Sequence, residues 1–463
     1  MSNEKEIKQY EKMILTPSGR LIVSLAVPTI ISMLISMIYN LADSYFVGKL
    51  GTSASAAVGI VFSVQAVFQA IGFMFGHGSG TVISRKLSEC KENEADKCLT
   101  TAFLSAIAFG AILMLIGLAF VTPFMRLLGS TETILPYSRK YAYYILISGP
   151  ALAASCVLNN VMRYEGKAFF AMIGLVSGGV LNMIGDPILM FGFDMGIDGA
   201  GLSTAISQYV SLFILIFMFV SGKTISKVRL KSFSFEEIKH IIPNGMPSLL
   251  RQILNSVATM TLNRCSMPYG DAAIAAMTIA GRVMMFIVSV LMGTGQGFQP
   301  VSAFNYGAKK YKRVKKSFIF TWCLGTVLML VSGTAGFVFA KQTIAIFRND
   351  SEVIKYGIPA LRFMCIGTLF APIGMISNMM FQSIGKSKIA SFLAFMRNGI
   401  FYIPVLAILP IFIGFRGIQS AQMISDIITA CASLPFTLKF FRELPHADMM
   451  TELDDRYYKV KAA

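Results

Sequence analysis

The chain has 463 residues, of which 55% are hydrophobic and only 14% are charged, and its mean hydropathy is +0.64. Charged residues make up about 25% of an ordinary soluble domain, so the composition excludes that class and indicates a polytopic membrane protein. The net charge of +17 does not indicate nucleic-acid binding, because the basic residues lie mostly in short segments between apolar runs, where they set membrane topology.

Twelve apolar runs are long enough to cross a bilayer, which takes about 20 helical residues. We therefore expect an all-α membrane protein with twelve transmembrane helices. The predicted spans are 20–47, 54–84, 98–126, 137–162, 168–193, 197–222, 241–266, 272–303, 316–340, 355–382, 389–413 and 416–441.

The first span contains Asp43, three residues after Asn40 and on the same helical face. A carboxylate within a span is costly and usually marks an ion or substrate path. Asp43 is therefore a candidate ion ligand, and an interfacial residue exposed to water is the alternative interpretation of its position.

The strongest chemical signal lies in residues 177–203, in and after the fifth span. Asn182 and Asp186 share one helical face in an apolar run that has no basic neighbour. Pro187 has no N–H, so the carbonyl of Met183 loses its helical partner. Carboxylate, amide and free carbonyl oxygens are typical ligands of a hard cation or members of a proton relay. A helix cap or kink at Asp186 is the structural alternative.

Landmarks of the first half recur in the second half, in the same order and 217 to 219 residues later. An even number of spans per copy gives both copies one orientation, so we expect two six-helix bundles related by a pseudo-two-fold axis along the membrane normal. Two such bundles form a cleft suited to alternating access. The paired landmarks are Pro28 and Pro247, Gly76 and Gly293, Gly166 and Gly385, Pro187 and Pro404, and Gly199 and Gly417.

The basic residues define the predicted domains and topology. Most of them fall in the loops on the side that holds both termini, so both termini are predicted to be cytoplasmic. The predicted domains are an N-lobe at 1–222 with a cation site, a cytoplasmic inter-lobe loop at 223–240, a C-lobe at 241–441 and a cytoplasmic tail at 442–463.

The two halves differ in their charged residues. The candidate acids of the first half have no counterparts in the second, whose single inner acid is Asp426. Ion coupling is therefore predicted for the N-lobe, and most of the C-lobe arginines are interpreted as helix ties or anchors at the membrane rim. These arginines are Arg251, Arg264, Arg282, Arg362 and Arg397.

Five segments together resemble the multidrug and toxic compound extrusion (MATE) family over roughly residues 15 to 440. Among the branches of this family, the chain is most similar to the MepA-like bacterial exporters. The segments are IYNLADSYFVGKLG, GHGSGTVISRKL, NMIGDPILMFGFDMGIDGAGLSTAISQ, MGTGQGFQPVSAFNYGAKKYKRV and RNGIFYIPVLAILP.

The resemblance implies cation-driven antiport of bulky, often cationic and amphipathic drugs and dyes across a bacterial plasma membrane. It implies a cation site, for H⁺ or Na⁺, made by Asp43, Asn159, Asn182, Asp186 and Thr204. The 29 methionines and 37 phenylalanines could provide deformable, π-rich surface for flat cations, but none of them is assigned to substrate binding. The bilayer and small molecules are the expected partners, with no nucleic acid and no cofactor, and we expect a monomer.

The seventh helix differs from that of some family branches, which carry an acid there. Arg251 and Gln252 occupy this segment here, so a C-lobe cation site of that kind is doubtful. Arg251, Arg264 and Arg282 leave open a flippase for lipid-linked oligosaccharide or polysaccharide, because basic residues that face a cavity could bind its diphosphate. A membrane enzyme is not expected, because His77, His240 and His446 are too scattered for a metal motif such as HExxH.

Overall fold

The computed structural model describes residues 7–348, 350–445 and 447–462, which form helices joined by short loops without a β-strand. The long helices of the first half are α1 (Ser18–Gly48), α2 (Thr52–Ser88), α3 (Glu92–Ala119), α4 (Leu135–Tyr164), α5 (Ala168–Gly192) and α6 (Gly196–Val220).

The second half repeats this order and adds a terminal helix. Its elements are α7 (Phe235–Ser266), α8 (Asp271–Gly307), α9 (Tyr311–Val338), α10 (Ser351–Gly367 and Ala371–Ser383), α11 (Ser387–Ile413), α12 (Phe415–Glu443) and α13 (Glu452–Ala462).

Ten of the described helices are long and apolar enough to cross a membrane, and the two parts of α10, bent by 53°, make an eleventh span if taken together. The helix that covers the predicted seventh span, α7, is long enough but is not among them. Its polar residues, including Arg251 and Arg264, lower its hydropathy. The elements α1 to α12 thus correspond in order to the twelve predicted spans.

The repeat extends to helix lengths and to loop conformations. Helices α2 and α8 each have 37 residues, and α3 and α9 each have 28. The chain enters the left-handed region at matching positions of the two copies, which include two non-glycine residues for which that conformation is uncommon. The matched pairs are Gly51 and Gly270, Cys90 and Lys309, and Gly166 and Gly385.

The chain divides into two compact units, one from Ile31 to Gly245 and the other made of the preceding and the following residues. Helices α1 and α7 are each shared between the units, because close glycine packing holds the start of each helix. A Cβ on Gly297 would lie 2.6 Å from the backbone nitrogen of Ala26 in one unit. The division therefore differs from the predicted domain bounds at the start of α1 and of α7.

Buried carboxylates fix the predicted inter-lobe loop to the first unit. The fully buried carboxylate of Glu165 accepts hydrogen bonds from the backbone nitrogens of Ile225 and Ser226, at 2.8 and 2.9 Å. Asp96 accepts one from the backbone nitrogen of Lys227 at 2.7 Å. Because the loop's own N–H groups are satisfied by side chains of the bundle, the start of α7 is held with that unit.

Candidate cation site in the first unit

The five predicted site residues all lie in the unit from Ile31 to Gly245 and come from four helices. Asp43 is on α1, Asn159 on α4, Asn182 and Asp186 on α5, and Thr204 on α6. None of these side chains is more than 8% exposed, and Asp186 is fully buried.

Asn182 connects Asp186 to α6. Its amide Nδ2 lies 3.1 Å from Oδ1 of Asp186 and 3.2 Å from the hydroxyl of Thr204. The hydroxyl of Ser203 donates to the carbonyl oxygen of Asn182 at 3.2 Å, which fixes the two helices against each other. The predicted four-residue spacing of Asn182 and Asp186 thus brings both side chains to one polar contact with α6.

Helix α5 changes geometry just after this pair. Pro187 is followed by a π-helical turn from Ile188 to Gly192. Proline removes a helical N–H, and single π-turns within α-helices occur often at functional sites. The sequence predicts the interruption through Pro187 but not its π-helical form.

Tyr141 of α4 is a further member of the site, which no local sequence pattern predicts. Its hydroxyl donates to Oδ2 of Asp43 at 3.2 Å, and the side chain is only 3% exposed. It also contacts the side chain of Thr204 and interacts electrostatically with both Asp43 and Asp186. Tyr141 therefore joins Asp43 to the group around Asn182.

Each carboxylate keeps one buried oxygen without a hydrogen-bond partner among the described residues. These atoms are Oδ1 of Asp43 and Oδ2 of Asp186. The two side chains also interact electrostatically with each other. Buried polar atoms in native proteins are nearly always satisfied, so two free carboxylate oxygens fit a proton or a hard cation.

Asn159 has a structural contact that is repeated in the other half. Its amide donates to the carbonyl oxygen of Ala171 at 2.8 Å, and Asn378 donates in the same way to Ala390 at 2.5 Å. The C-lobe copy has no counterpart of Asp186, so this contact serves helix packing in both halves. Cation binding by Asn159 remains a prediction.

A cavity of about 80 Å³ adjoins the site within the same unit. Asn159, Asn182 and Thr204 line it together with Ser207 and Gln208, whereas the two carboxylates do not. It has room for a few water molecules and is too small for a dye. Asn182 and Thr204 therefore lie between this cavity and the carboxylates.

The histidines do not form a second site. Nδ1 of His77 lies 3.2 Å from the carbonyl oxygen of Phe73, and its ring meets those of Phe73 and Tyr164 edge to face. His446 lies outside the described residues. No group of three or more His, Cys, Asp or Glu side chains within the described ranges could hold a metal ion.

A family model, MatE, matches the chain twice, over residues 28–188 and over residues 247–408. These matches cover most of the chain and reproduce the internal repeat. The chain belongs to the MATE family. Among relatives in this family, the multidrug export protein MepA of Staphylococcus aureus (strain MSSA476) is 28% identical over 436 residues, which is 93% of this chain and 95% of that protein. The MepA of Staphylococcus saprophyticus is 30% identical over 415 residues, 88% of this chain and 91% of that protein.

Solved MATE structures have the same fold. An outward-facing multidrug resistance MATE transporter of the MOP superfamily superposes with a TM-score of 0.89 at 25% identity, over 95% of this chain and 99% of that one. A MOP superfamily transporter from Pyrococcus furiosus gives the same TM-score at 25% identity, over 94% and 98%. The predicted family, its MepA-like branch and the twelve-helix, two-lobe fold are thus confirmed.

Proposed function

We propose that this chain is a cation-coupled multidrug exporter of the bacterial plasma membrane, which moves structurally diverse, often cationic and amphipathic drugs and dyes by alternating access. Relatives that match nearly its whole length are named multidrug export proteins. Coupling to a cation is inferred from the pair of buried carboxylates, Asp43 and Asp186, each of which has one oxygen without a hydrogen-bond partner among the described residues.

The coupling ion is a second cargo that moves opposite to the drug. It costs much free energy to keep two interacting carboxylates charged within a poorly solvated site. Either one of them binds a proton, or both bind the same cation. Oδ1 of Asp43 and Oδ2 of Asp186 would bind it, while Asn182 and Thr204 offer neutral oxygens nearby. This donor set suits either H⁺ or Na⁺.

The protein residues around the pair orient it and limit water access. Tyr141 holds Asp43 through its hydroxyl, and Asn182 holds Asp186 through its amide. Neither carboxylate lines the small cavity next to Asn182, so Asn182 and Thr204 lie between the pair and that space. Loading and release at one buried pair can therefore favour different arrangements of the helices that carry it.

The flippase alternative depends on arginines that would bind a diphosphate. Arg251 instead donates to Oδ1 of Asn378 at 3.0 Å and to the Ser248 hydroxyl at 3.1 Å, so it ties α7 to α10. Arg397 is paired with Asp426. Because Arg251 and Arg397 are bound to other side chains, these contacts favour drug export over transport of lipid-linked sugars. We also propose that the transporter has no enzymatic activity.

Ethidium efflux tests the proposal. Right-side-out vesicles that contain the chain are loaded with ethidium, and the Na⁺ and H⁺ gradients are collapsed separately. We expect transport to stop when one of the two gradients is removed, and the gradient that matters identifies the ion. Efflux that persists without both gradients, or vesicles that never move ethidium or related cationic dyes, would contradict cation-coupled drug export.

A further inference from the structure

An ion pair within the C-lobe joins α11 to α12. Nε of Arg397 on α11 lies 2.9 Å from Oδ1 of Asp426 on α12. Gln422 donates to the other oxygen, Oδ2, at 3.2 Å, and the hydroxyl of Ser425 donates to the carbonyl of Arg397 at 2.8 Å. Asp426 is 4% exposed, so both oxygens of a buried carboxylate are satisfied from the protein itself.

The internal repeat locates the positions in the N-lobe that correspond to this pair. The repeated contacts Asn159 to Ala171 and Asn378 to Ala390 are both 219 residues apart, which places Arg397 opposite Gly178. The Pro187 and Pro404 landmarks shift this assignment by at most two residues. Gly199 and Gly417 place Asp426 opposite Gln208 in the same way.

Gly178 and Gln208 both line the small cavity beside the N-lobe cation site. Gly178 also lies close to the backbone of α6: a Cβ on it would be 3.0 Å from the carbonyl oxygen of Ser207, the counterpart of Ser425. The N-lobe therefore has a glycine beside an open cavity at the positions where the C-lobe has a guanidinium bound to a carboxylate.

We infer that Arg397 serves as a covalently attached cation for Asp426. Its guanidinium permanently fills the C-lobe space that corresponds to the open cavity beside the N-lobe cation site, and Asp426 therefore binds no exchangeable ion. The inference rests on the proposed coupling role of the N-lobe. It explains how an acid can lie in a C-lobe span without a second coupling site. Two uncharged groups also lie next to Asp426: Gly367, where an added Cβ would be 3.5 Å from its Oδ2, and Tyr402, a buried phenol.

Removal of the Arg397 side chain converts the space beside Asp426 into a binding site for a free organic cation. The Arg397→Ala variant retains Asp426 and lacks the two outer methylene groups and the guanidinium of arginine, and ethylguanidinium is the free ion that matches these missing atoms. Breaking a buried pair by removal of one partner is far more destabilising than removal of both charges. The charge-free double variant Arg397→Ala/Asp426→Asn is therefore the control, and Arg397→Lys is the conservative replacement.

The experiment measures the thermal unfolding of each purified variant in detergent, with low millimolar ethylguanidinium chloride or with NaCl at equal ionic strength. We expect Arg397→Ala to unfold below the double variant and below Arg397→Lys. Ethylguanidinium at ten times its Kd should raise the melting temperature of Arg397→Ala by about 2 °C, and should leave the double variant and the wild type unchanged.

Two outcomes would overturn the inference. One is an equal effect of ethylguanidinium on Arg397→Ala and on the double variant. The other is equal loss of both variants from the membrane, whereas loss of Arg397→Ala alone is the result expected for an uncompensated carboxylate. None of these measurements uses transport, so they are independent of the vesicle assay. The proposed drug export can be contradicted while this inference holds, and this inference can be contradicted while drug export is confirmed.

Discussion

Asn159 shows how one residue can satisfy a family motif and still have a structural task. Its amide binds the carbonyl of Ala171, and the second half repeats this bond at Asn378 although that half lacks the coupling acids. A contact that both halves keep, irrespective of ion coupling, ties α4 to α5 and α10 to α11. The amide is then occupied, and only the side-chain oxygen of Asn159 could face a cation.

This interpretation predicts that Asn159→Ala and Asn378→Ala destabilise the protein to a similar extent. Each loses a buried hydrogen bond to a carbonyl oxygen that keeps its partner within the helix, which costs about 0.5–1.5 kcal/mol. Thermal unfolding of the purified variants measures the effect, and Asn255→Ala, at an exposed position of α7, is the matched control. If only Asn159→Ala loses efflux while its melting temperature equals that of the control, Asn159 is a ligand and not a tie.

The carboxylate pair gives the second prediction at this scale. Asp43→Asn removes one of two interacting buried charges, so gradient-driven efflux should stop. Folding and insertion should persist, because the loss of a buried charge lowers the cost of insertion. Drug affinity in detergent should survive at least in part, since a hydrophobic pocket does not require this ion.

Tyr141→Phe is the companion variant, because it keeps the ring and removes the only hydroxyl that donates to Oδ2 of Asp43 within the described chain. It should reduce efflux less than Asp43→Asn does. Substrate affinity and efflux are measured on the same reconstituted samples. An Asp43→Asn variant that pumps at the wild-type rate and still needs the gradient would make the pair structural.

The sequence predicts part of this site and omits part of it for a physical reason. Asn182 and Asp186 can be recognised because their partnership is local, at helical spacing in an apolar run. Tyr141 has no such local signal: its role arises only when α4 packs against α1. The same holds for the hydroxyl of Ser203, which adds a contact from α6 to α5.

At the scale of elements, the C-terminal segment contains a helix, α13, that is absent from the predicted cytoplasmic tail. Just before this helix, the backbone nitrogen and the hydroxyl of Thr451 both donate to Oδ2 of Asp454, at 2.8 and 2.9 Å. Oδ1 of Asp454 also accepts from the hydroxyl of Tyr10 at 2.6 Å, and Oδ2 lies 2.9 Å from Nζ of Lys310. The rings of Tyr10 and Tyr457 stack at 4.4 Å. One carboxylate thus joins the tail, the residues before α1 and the loop between α8 and α9.

The titration of Asp454 sets the pH range of this junction. Burial would raise the pKa of its carboxyl, but the hydrogen bonds from Tyr10, Lys310 and Thr451 together outweigh burial and hold the pKa below its ordinary value. A lowered pKa stabilises the folded form above the ordinary value of about 4, and the contribution is lost as the pH falls through the lowered value. The junction should therefore stay closed from pH 5 to pH 8.

Asp454→Asn should open the junction at neutral pH, because it removes the charge that Lys310 and Tyr10 bind. Trypsin cleavage of purified protein at Arg456 or Lys459 should then become several-fold faster. Asp455→Asn removes the same charge from an exposed neighbour and should leave the cleavage rate unchanged. Equal cleavage of the two variants, or rapid cleavage of the wild type at pH 6, would show that Asp454 does not hold the tail.

Other features of the elements were also beyond the sequence. Helix counts, and most helix bounds to within a few residues, follow from apolar runs and from glycine and proline landmarks. The 53° bend of α10 and the π-helical turns of α5 and α11 do not, because they depend on how each helix packs against its neighbours. The division of α1 and α7 between the two units depends likewise on close glycine contacts that have no counterpart in hydropathy.

At the scale of the whole molecule, the two halves repeat the same order of helices but differ in how their buried carboxylates are bound. The N-lobe pair has two free carboxylate oxygens, whereas Asp426 has both of its oxygens bound. Asp426→Asn should therefore slow efflux less than Asp186→Asn at equal protein level. Vesicle efflux normalised to the amount of inserted protein measures both variants, and equal loss from both would mean that the lobes share coupling.

The membrane orientation of both halves is a prediction from the positions of the basic residues. Lys309, Lys310, Lys312 and Arg313 crowd the junction of α8 and α9, and further basic residues follow Gly222, whereas the opposite loops carry few. Because basic loops stay in the cytoplasm, a reporter inserted after Gly222 or after Lys310 should be cytoplasmic, and one near Asp198 or Asp350 should be external. Single-cysteine labelling with a membrane-impermeant maleimide at the same four places provides an independent measurement in intact cells. External labelling after Gly222 or after Lys310 would have one of two meanings. An odd number of spans before that loop disagrees with two copies of six helices that have one orientation, and an inverted chain disagrees with the charge bias of the loops.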